Sequence, residues 1–136
     1  MISSMFKQIH IAFESRFNKH LQKYNLTQSQ MDVLVYLKHH EDSIITQRDL
    51  EAGLRLKNPT ITGILNRLED KNLITREINL NDRRSKIIKM TDKSKTILEE
   101  NYIHLEELES YIFKDFSEEE KEELVVLLDK VLDHLK

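Results

Sequence analysis

The stretch "NPTITGILNRLEDKNLITREINLNDRRSK", residues 58–86, changes periodicity partway along. Ile61, Ile64, Leu65 and Leu68 recur at three- and four-residue spacing, which predicts an amphipathic helix. Asn58 fits its N-cap and Pro59 its first helical position, where a missing N–H is tolerated. Asn72 can take the left-handed conformation that ends a helix. "LITREI" and the following "KIIKM" are rich in β-branched residues and predict two strands around a short polar loop.

Upstream, "LTQSQMDVLVYL" predicts a helix opened by a Thr27–Gln30 capping box, with Met31, Leu34, Val35 and Leu37 buried, ending near His39-His40. "SIIT" reads as a short extended piece. Thr46 can then cap a short helix from Gln47 to Leu54 that stops around Gly53. Two short helices joined by a tight turn and followed by a hairpin make a winged helix-turn-helix, whose second helix can lie in the DNA major groove. On that helix Asn58, Thr60, Thr62, Gly63, Asn66 and Arg67 share the face opposite the apolar stripe. Asn and Arg can each bond a base edge at two points, and Thr suits phosphate or a thymine methyl. Gly63 allows close approach of a backbone. A polar solvent face is the competing reading, but such faces usually mix Glu with Lys, and none of Thr60 to Arg67 is acidic.

The loop tip carries Asp82, Arg83, Arg84 and Lys86. A hairpin beside a recognition helix can reach the minor groove, where narrow width concentrates negative potential. Arg84 is the candidate for insertion, with Arg83 and Lys86 on phosphates and Asp82 holding an arginine through a bidentate pair. An exposed turn whose charges keep a sheet edge soluble would look similar in isolation.

The remaining chain supplies three more amphipathic helices. Their stripes are Phe6, Ile9, Phe13, Phe17, Leu21 and Tyr24, then Ile97, Leu98, Tyr102, Leu105, Leu108 and Ile112 behind a Thr91 cap. The last is Leu124, Leu127, Leu128, Val131, Leu132 and Leu135 behind a Ser117 restart. A winged module offers little surface to cover them, so pairing between two chains is expected. An intramolecular bundle is the alternative. The fold class is therefore mainly α with a small β-hairpin wing.

Charge and composition agree with this division. The net charge is -3, but residues 45–91 carry +4 and the remainder -7, a basic centre on an acidic scaffold. There is no cysteine, and the two glycines are isolated, so there is neither a thiol nucleophile nor a phosphate-cradling loop. An enzyme is not expected, nor is a cofactor. The N-terminus lacks the order of a signal peptide and no apolar run spans a bilayer, so a cytoplasmic protein without membrane contact is expected. His39, His40, Glu41 and Asp42, with His10, His20 and His104 on other helices, offer zinc-compatible ligands. A helix C-terminus that favours His accounts for the first cluster equally, and no metal is expected.

In "NPTITGILNRLEDKNLITR", "NDRRSK" and the "MT" that opens a long helix, the chain resembles the MarR-type transcriptional regulators, over about Leu26 to Met90. The resemblance implies one domain over residues 1–136, with a DNA-binding module at 26–90 and dimerisation helices at 1–25 and 91–136. It implies that Arg84 enters the minor groove and Asp82 orients it. It also implies a homodimer on double-stranded, pseudo-palindromic DNA, acting as a repressor that answers a small aromatic or phenolic effector. Phe13, Phe17, Tyr36 and Tyr102 are the candidates to line an effector cleft. Four positions depart from common family forms: Asn79 and Asn81 replace an acid and an arginine in the wing, Asn72 stands where a glycine commonly ends the recognition helix, and Ser94 where another often follows the wing strands. A winged-helix module that binds protein rather than DNA is the alternative function, as is a metal-responsive variant of the regulator.

Overall fold

The computed structural model describes all residues, 1–136, in the order α1 (Ile2–Leu21), a short 3₁₀ turn (Gln22–Tyr24), α2 (Gln28–His39), α3 (Gln47–Leu54), α4 (Asn58–Asp70), β1 (Ile74–Ile78), β2 (Lys86–Met90), α5 (Asp92–Ile112) and α6 (Glu118–Leu135). The chain divides into two compact units, Met1–Asn101 and Tyr102–Lys136. No helix is long and apolar enough to cross a membrane.

In the first unit, α2, α3 and α4 close around Met31, Val33, Leu34, Leu50, Ile61, Leu65 and Leu68, all essentially inaccessible. Burying side chains of this kind stabilises by about 1.5–3 kcal/mol each. β1 and β2 pair antiparallel, with Ile74 opposite Met90 and Ile78 opposite Lys86. Ile74 and Ile88 turn inward to seal the same core. Val33, absent from the expected stripe, is fully buried, whereas Val35 is only half-buried.

Capping chemistry fixes where the helices begin. Thr27 Oγ1 accepts from the Gln30 N–H while the Gln30 amide oxygen accepts from the Thr27 N–H, both at 3.2 Å. Thr91 and Ser94 repeat that exchange at α5, at 3.0 and 3.2 Å. This explains Ser94: it is fully buried, and its hydroxyl closes the cap. The Thr91 hydroxyl also donates to the Asn72 carbonyl at 2.8 Å, tying the end of α4 to the start of α5.

Several boundaries differ from expectation. "SIIT" is a single bridge, Thr46 to Ile87, rather than a strand: the Ile45 carbonyl accepts the Ile88 N–H at 2.8 Å, and the Thr46 carbonyl already accepts the Leu50 N–H of α3 at 3.2 Å. α3 runs from Gln47 to Leu54 as expected, but the residue that ends it is Arg55 rather than Gly53, and it takes the left-handed conformation at φ 54°. Gly53 is glycine for a packing reason: a Cβ there would lie 2.3 Å from the Tyr36 ring. Lys57, not Asn58, is the N-cap of α4, and Pro59 follows Asn58 within the first turn. Asn58 is already inside the helix, and its amide N–H donates to Glu51 at 2.7 Å. Asn72 is left-handed at φ 60°, as expected.

The 3₁₀ turn after α1 carries Tyr24, whose hydroxyl donates to Glu100. Burial, that bond and the carboxylate charge push the phenol up to about 12. The neutral phenol is thus favoured in the folded state, so its contribution is complete below pH ~10, where the unfolded phenol is also neutral. It is lost as pH rises from there through the folded value. Tyr24→Phe should therefore differ from the parent in denaturant stability at pH 8.5 but converge on it near pH 12. An equal difference at both would remove this role. Tyr24 is only half-buried and its partner Glu100 is exposed, so the difference should be small.

In the second unit, Ser117 caps α6 by the same reciprocal exchange with Glu120, at 3.0 and 3.1 Å. Glu118, Glu119 and Glu120 occupy its first turn, where the helix dipole favours anions. None of the residues of α6 is buried. Val125, Leu128, Leu132 and Leu135 stand exposed on it, as do Ile2, Met5 and Ile9 on α1.

Candidate nucleic-acid interface

With Ile61, Ile64, Leu65 and Leu68 buried, helical geometry leaves Asn58, Thr60, Gly63, Asn66 and Arg67 exposed on the other side of α4, with Thr62 half-buried at its edge. Gly63 is open: a Cβ there would meet nothing within 4 Å. Thr60, Gly63 and Arg67 border a shallow hollow completed by Thr27, Gln30 and Pro59. Lys71 bonds the Asn25 carbonyl and the Gln30 amide oxygen. Burial, with Arg67 nearby, holds the Lys71 ammonium below the usual lysine range.

Three residues of this face are engaged from within the chain, which the sequence did not reveal. Gln47 donates its amide N–H to Thr62 Oγ1 at 2.9 Å and to Glu51 at 3.3 Å. Glu51 also receives the Asn58 amide. Arg76, from β1, grips Glu69 through Nε at 3.1 Å and Nη2 at 2.8 Å, and the same Nη2 donates to Asn66 Oδ1 at 2.8 Å. That grip holds the Glu69 carboxyl below its ordinary value and raises the Arg76 guanidinium above its own. Gln47, Glu51 and Arg76 were legible only as a helix start, a helix interior and a strand residue.

The wing is built from side chains that fold back on its own backbone. Asn79 Oδ1 accepts from the Asn81 N–H at 3.1 Å, and the Asn79 amide donates to Ser85 Oγ at 3.2 Å. The Asp82 N–H donates to the Asn79 carbonyl at 3.1 Å and the Ser85 N–H to the Asp82 carbonyl at 3.0 Å. Such turns suit Asn and Asp, whose side chains mimic backbone acceptors. Asp82 does meet Arg84, but not as a bidentate pair. One oxygen, Oδ1, accepts both the Arg84 N–H at 3.1 Å and its Nε–H at 3.3 Å. The reason is local: two residues apart in a turn, backbone and side chain converge on one carboxylate oxygen. The Arg84 side chain is left 94% exposed. Arg83 is exposed as well, and Lys86 opens β2.

The aromatic candidates for an effector cleft have these surroundings. Phe13 and Phe17 stack at 5.5 Å. The Tyr36 ring lies over Gly53 and stacks on His40 at 4.1 Å, while Tyr102 is exposed. A hollow bordered by Leu37, Ile44, Ile87, Met90 and Lys95 includes none of the four. No group of three His, Asp or Glu side chains is gathered as metal ligands. His40 bonds the Tyr36 carbonyl through Nδ1 at 2.8 Å, and His10 faces Glu14 at 3.4 Å.

Taken together, the exposed face of α4 and the arginine tip offer hydrogen-bond donors and cationic charge on two adjoining elements, with Glu69 and Asp82 each held by an arginine. Such a surface complements a polyanion with acceptor-rich edges.

Comparison with known proteins agrees with this geometry. Residues 26–86 match the MarR family model. The chain is 29% identical over 136 residues to the HTH-type transcriptional regulator PecS of Dickeya dadantii (strain 3937), covering 99% of this chain and 82% of that protein. Among solved structures it is similar to MepR, a transcription regulator of the Staphylococcus aureus multidrug efflux pump MepA. The TM-score is 0.87 at 29% identity, covering 100% of this chain and 99% of that one. It is similar also to S. aureus MepR in its DNA complex, with a TM-score of 0.81 at 29% identity, covering 100% and 98% of the two chains.

Proposed function

We propose that this chain is a member of the MarR family of winged helix-turn-helix transcriptional regulators, a cytoplasmic repressor that binds a pseudo-palindromic DNA operator as a homodimer and releases it on binding a small effector. The observation that carries the DNA reading is the juxtaposition of α4 and the wing. Asn58, Thr60, Thr62, Gly63, Asn66 and Arg67 would face the major groove, and Arg84 would enter the adjacent minor groove with Arg83 and Lys86 on phosphates. The likeness to a MepR–DNA complex supports it. The exposed apolar faces of α1 and α6 support the dimer. A protein-binding wing would tolerate aromatic and acidic side chains on α4, and the groove-facing half of this helix has neither. Effector response is carried over from the family reading, with Phe13, Phe17, Tyr36 and Tyr102 as the residues to vary first.

Selection of bound duplexes from random DNA tests the reading. The expected product is a two-fold related pair of half-sites with centres about 10 bp apart or a multiple of that spacing. Aromatic acids added to the selection should reduce recovery. No enrichment over the input pool would refute DNA readout, and a lone half-site bound as tightly as the pair would refute the dimeric mode.

A further inference from the structure

The hydrogen bonds inside the chain fix the polarity of the side chains at the centre of α4. A guanidinium has donors and no acceptor, so the Asn66 atom 2.8 Å from Arg76 Nη2 must be the amide oxygen. The two bonds from Arg76 to Glu69 anchor the guanidinium in that position. Asn66 keeps only its NH₂ for a partner outside the chain. The second lone pair of Oδ1 lies beside the Arg76 charge, where an incoming amino group meets a dipole of the wrong sign.

Thr62 is polarised in the same sense. A carboxylate only accepts, so the Gln47 atom facing Glu51 is the nitrogen, and that nitrogen donates to Thr62 Oγ1 at 2.9 Å. With Oγ1 accepting from Gln47, the hydroxyl hydrogen is what Thr62 has to offer a further acceptor. Arg67, exposed on the same face, can only donate.

We propose that Arg76 and Gln47 are positioning residues that turn the centre of α4 into a donor-only edge, so that Asn66 reads guanine in preference to adenine. In the major groove guanine offers two adjacent acceptors, N7 and O6, whereas adenine offers N7 beside an N6 amino donor. A free asparagine amide suits adenine, with its oxygen on N6 and its nitrogen on N7. An amide whose oxygen is held by Arg76 has lost that match and retains the one to guanine. The inference rests on the reading of α4 as the groove-facing helix.

Selection from random duplexes with the full chain, with Asn66→Ala and with Arg76→Met tests it. Asn66→Ala locates the base pair concerned, as the position whose preference flattens. There the parent protein should favour guanine over adenine by roughly tenfold. Arg76→Met, which keeps the apolar stem but frees the Asn66 oxygen, should move the preference to adenine. A role in fold stability alone would weaken binding without changing the base chosen. Should Arg76→Met fail to fold by circular dichroism, the parent protein decides alone. A duplex with 7-deazaguanine at that position, lacking the N7 acceptor, should bind about as weakly as the adenine duplex. Adenine favoured by the parent, no position flattened by Asn66→Ala, a folded Arg76→Met that retains guanine, or indifference to 7-deazaguanine would overturn the inference alone. A parent protein that enriches no sequence would overturn the groove reading and this inference with it.

Discussion

Glutamate at both Leu128 and Leu132 should convert the protein to a monomer and lower its affinity for a two-half-site operator by roughly a hundredfold or more. Both leucines stand exposed on α6, at 40% and 54%, within a row that includes Val125 and Leu135. Contiguous apolar surface of this kind is uncommon on monomeric proteins and marks sites of association. A helix of 18 residues with no buried side chain is also marginal on its own, because helix nucleation is unfavourable and tertiary packing usually supplies the stability. Two charges within such a seam would have to be desolvated without partners, which a dimer cannot tolerate. Each half-site would then be held by one subunit, without the second attachment that linkage supplies. Light scattering at micromolar protein, with anisotropy on full and half operators, measures both effects. A dimeric double variant, or one with unchanged operator affinity, would assign the seam elsewhere.

Arg84→Ala should weaken operator binding about tenfold and reduce the slope of log affinity against log salt by about one for each phosphate the guanidinium neutralises. The loss should be greatest where A·T tracts flank the half-sites, because a narrow minor groove attracts an inserted guanidinium. Asp82 provides the sharper contrast. Its removal subtracts a negative charge from the tip, and charge alone predicts tighter binding. Its Oδ1, however, accepts both the Arg84 N–H and Nε–H. Losing that oxygen releases the turn and the side chain together, so Asp82→Ala should weaken binding. Asp82→Asn keeps an acceptor in the same place and should stay near the parent affinity. Anisotropy at two salt concentrations decides the matter: tighter binding by Asp82→Ala at both would end the positioning role.

Local chemistry was legible in the sequence, and contacts between elements were not. Thr27 with Gln30 and Ser117 as a helix start could be read from type and spacing, because a capping box is complete within four residues. The apolar stripe of α4 and the hairpin strands followed from periodicity in the same way. Gly53 misled because glycine has two uses. Here it admits the Tyr36 ring, while the left-handed end of α3 falls on Arg55, a residue that no propensity would nominate. Asn58 misled because α4 opens one residue earlier, at Lys57, and the Asn58 amide N–H turns to Glu51 on another helix. The apolar and polar sides of α4 followed from its spacing, yet the polarity of its exposed groups was hidden. Gln47 lies 15 residues from Thr62 and Arg76 lies 10 from Asn66, and only the packing of α3 and β1 against α4 joins them.

The left-handed backbone at Arg55 sets durability against affinity. A side chain in that conformation costs about 1–2 kcal/mol that glycine would not, although part of the gain is returned through a more flexible unfolded chain. Glycine would also strip an exposed cation from the short connection that leads into α4. Descendants of this sequence adapting to heat would be drawn toward glycine at position 55, and descendants adapting to scarce operator sites at low salt would be drawn to keep the arginine. The position is therefore a place where two lineages could part while sharing every other feature of the fold.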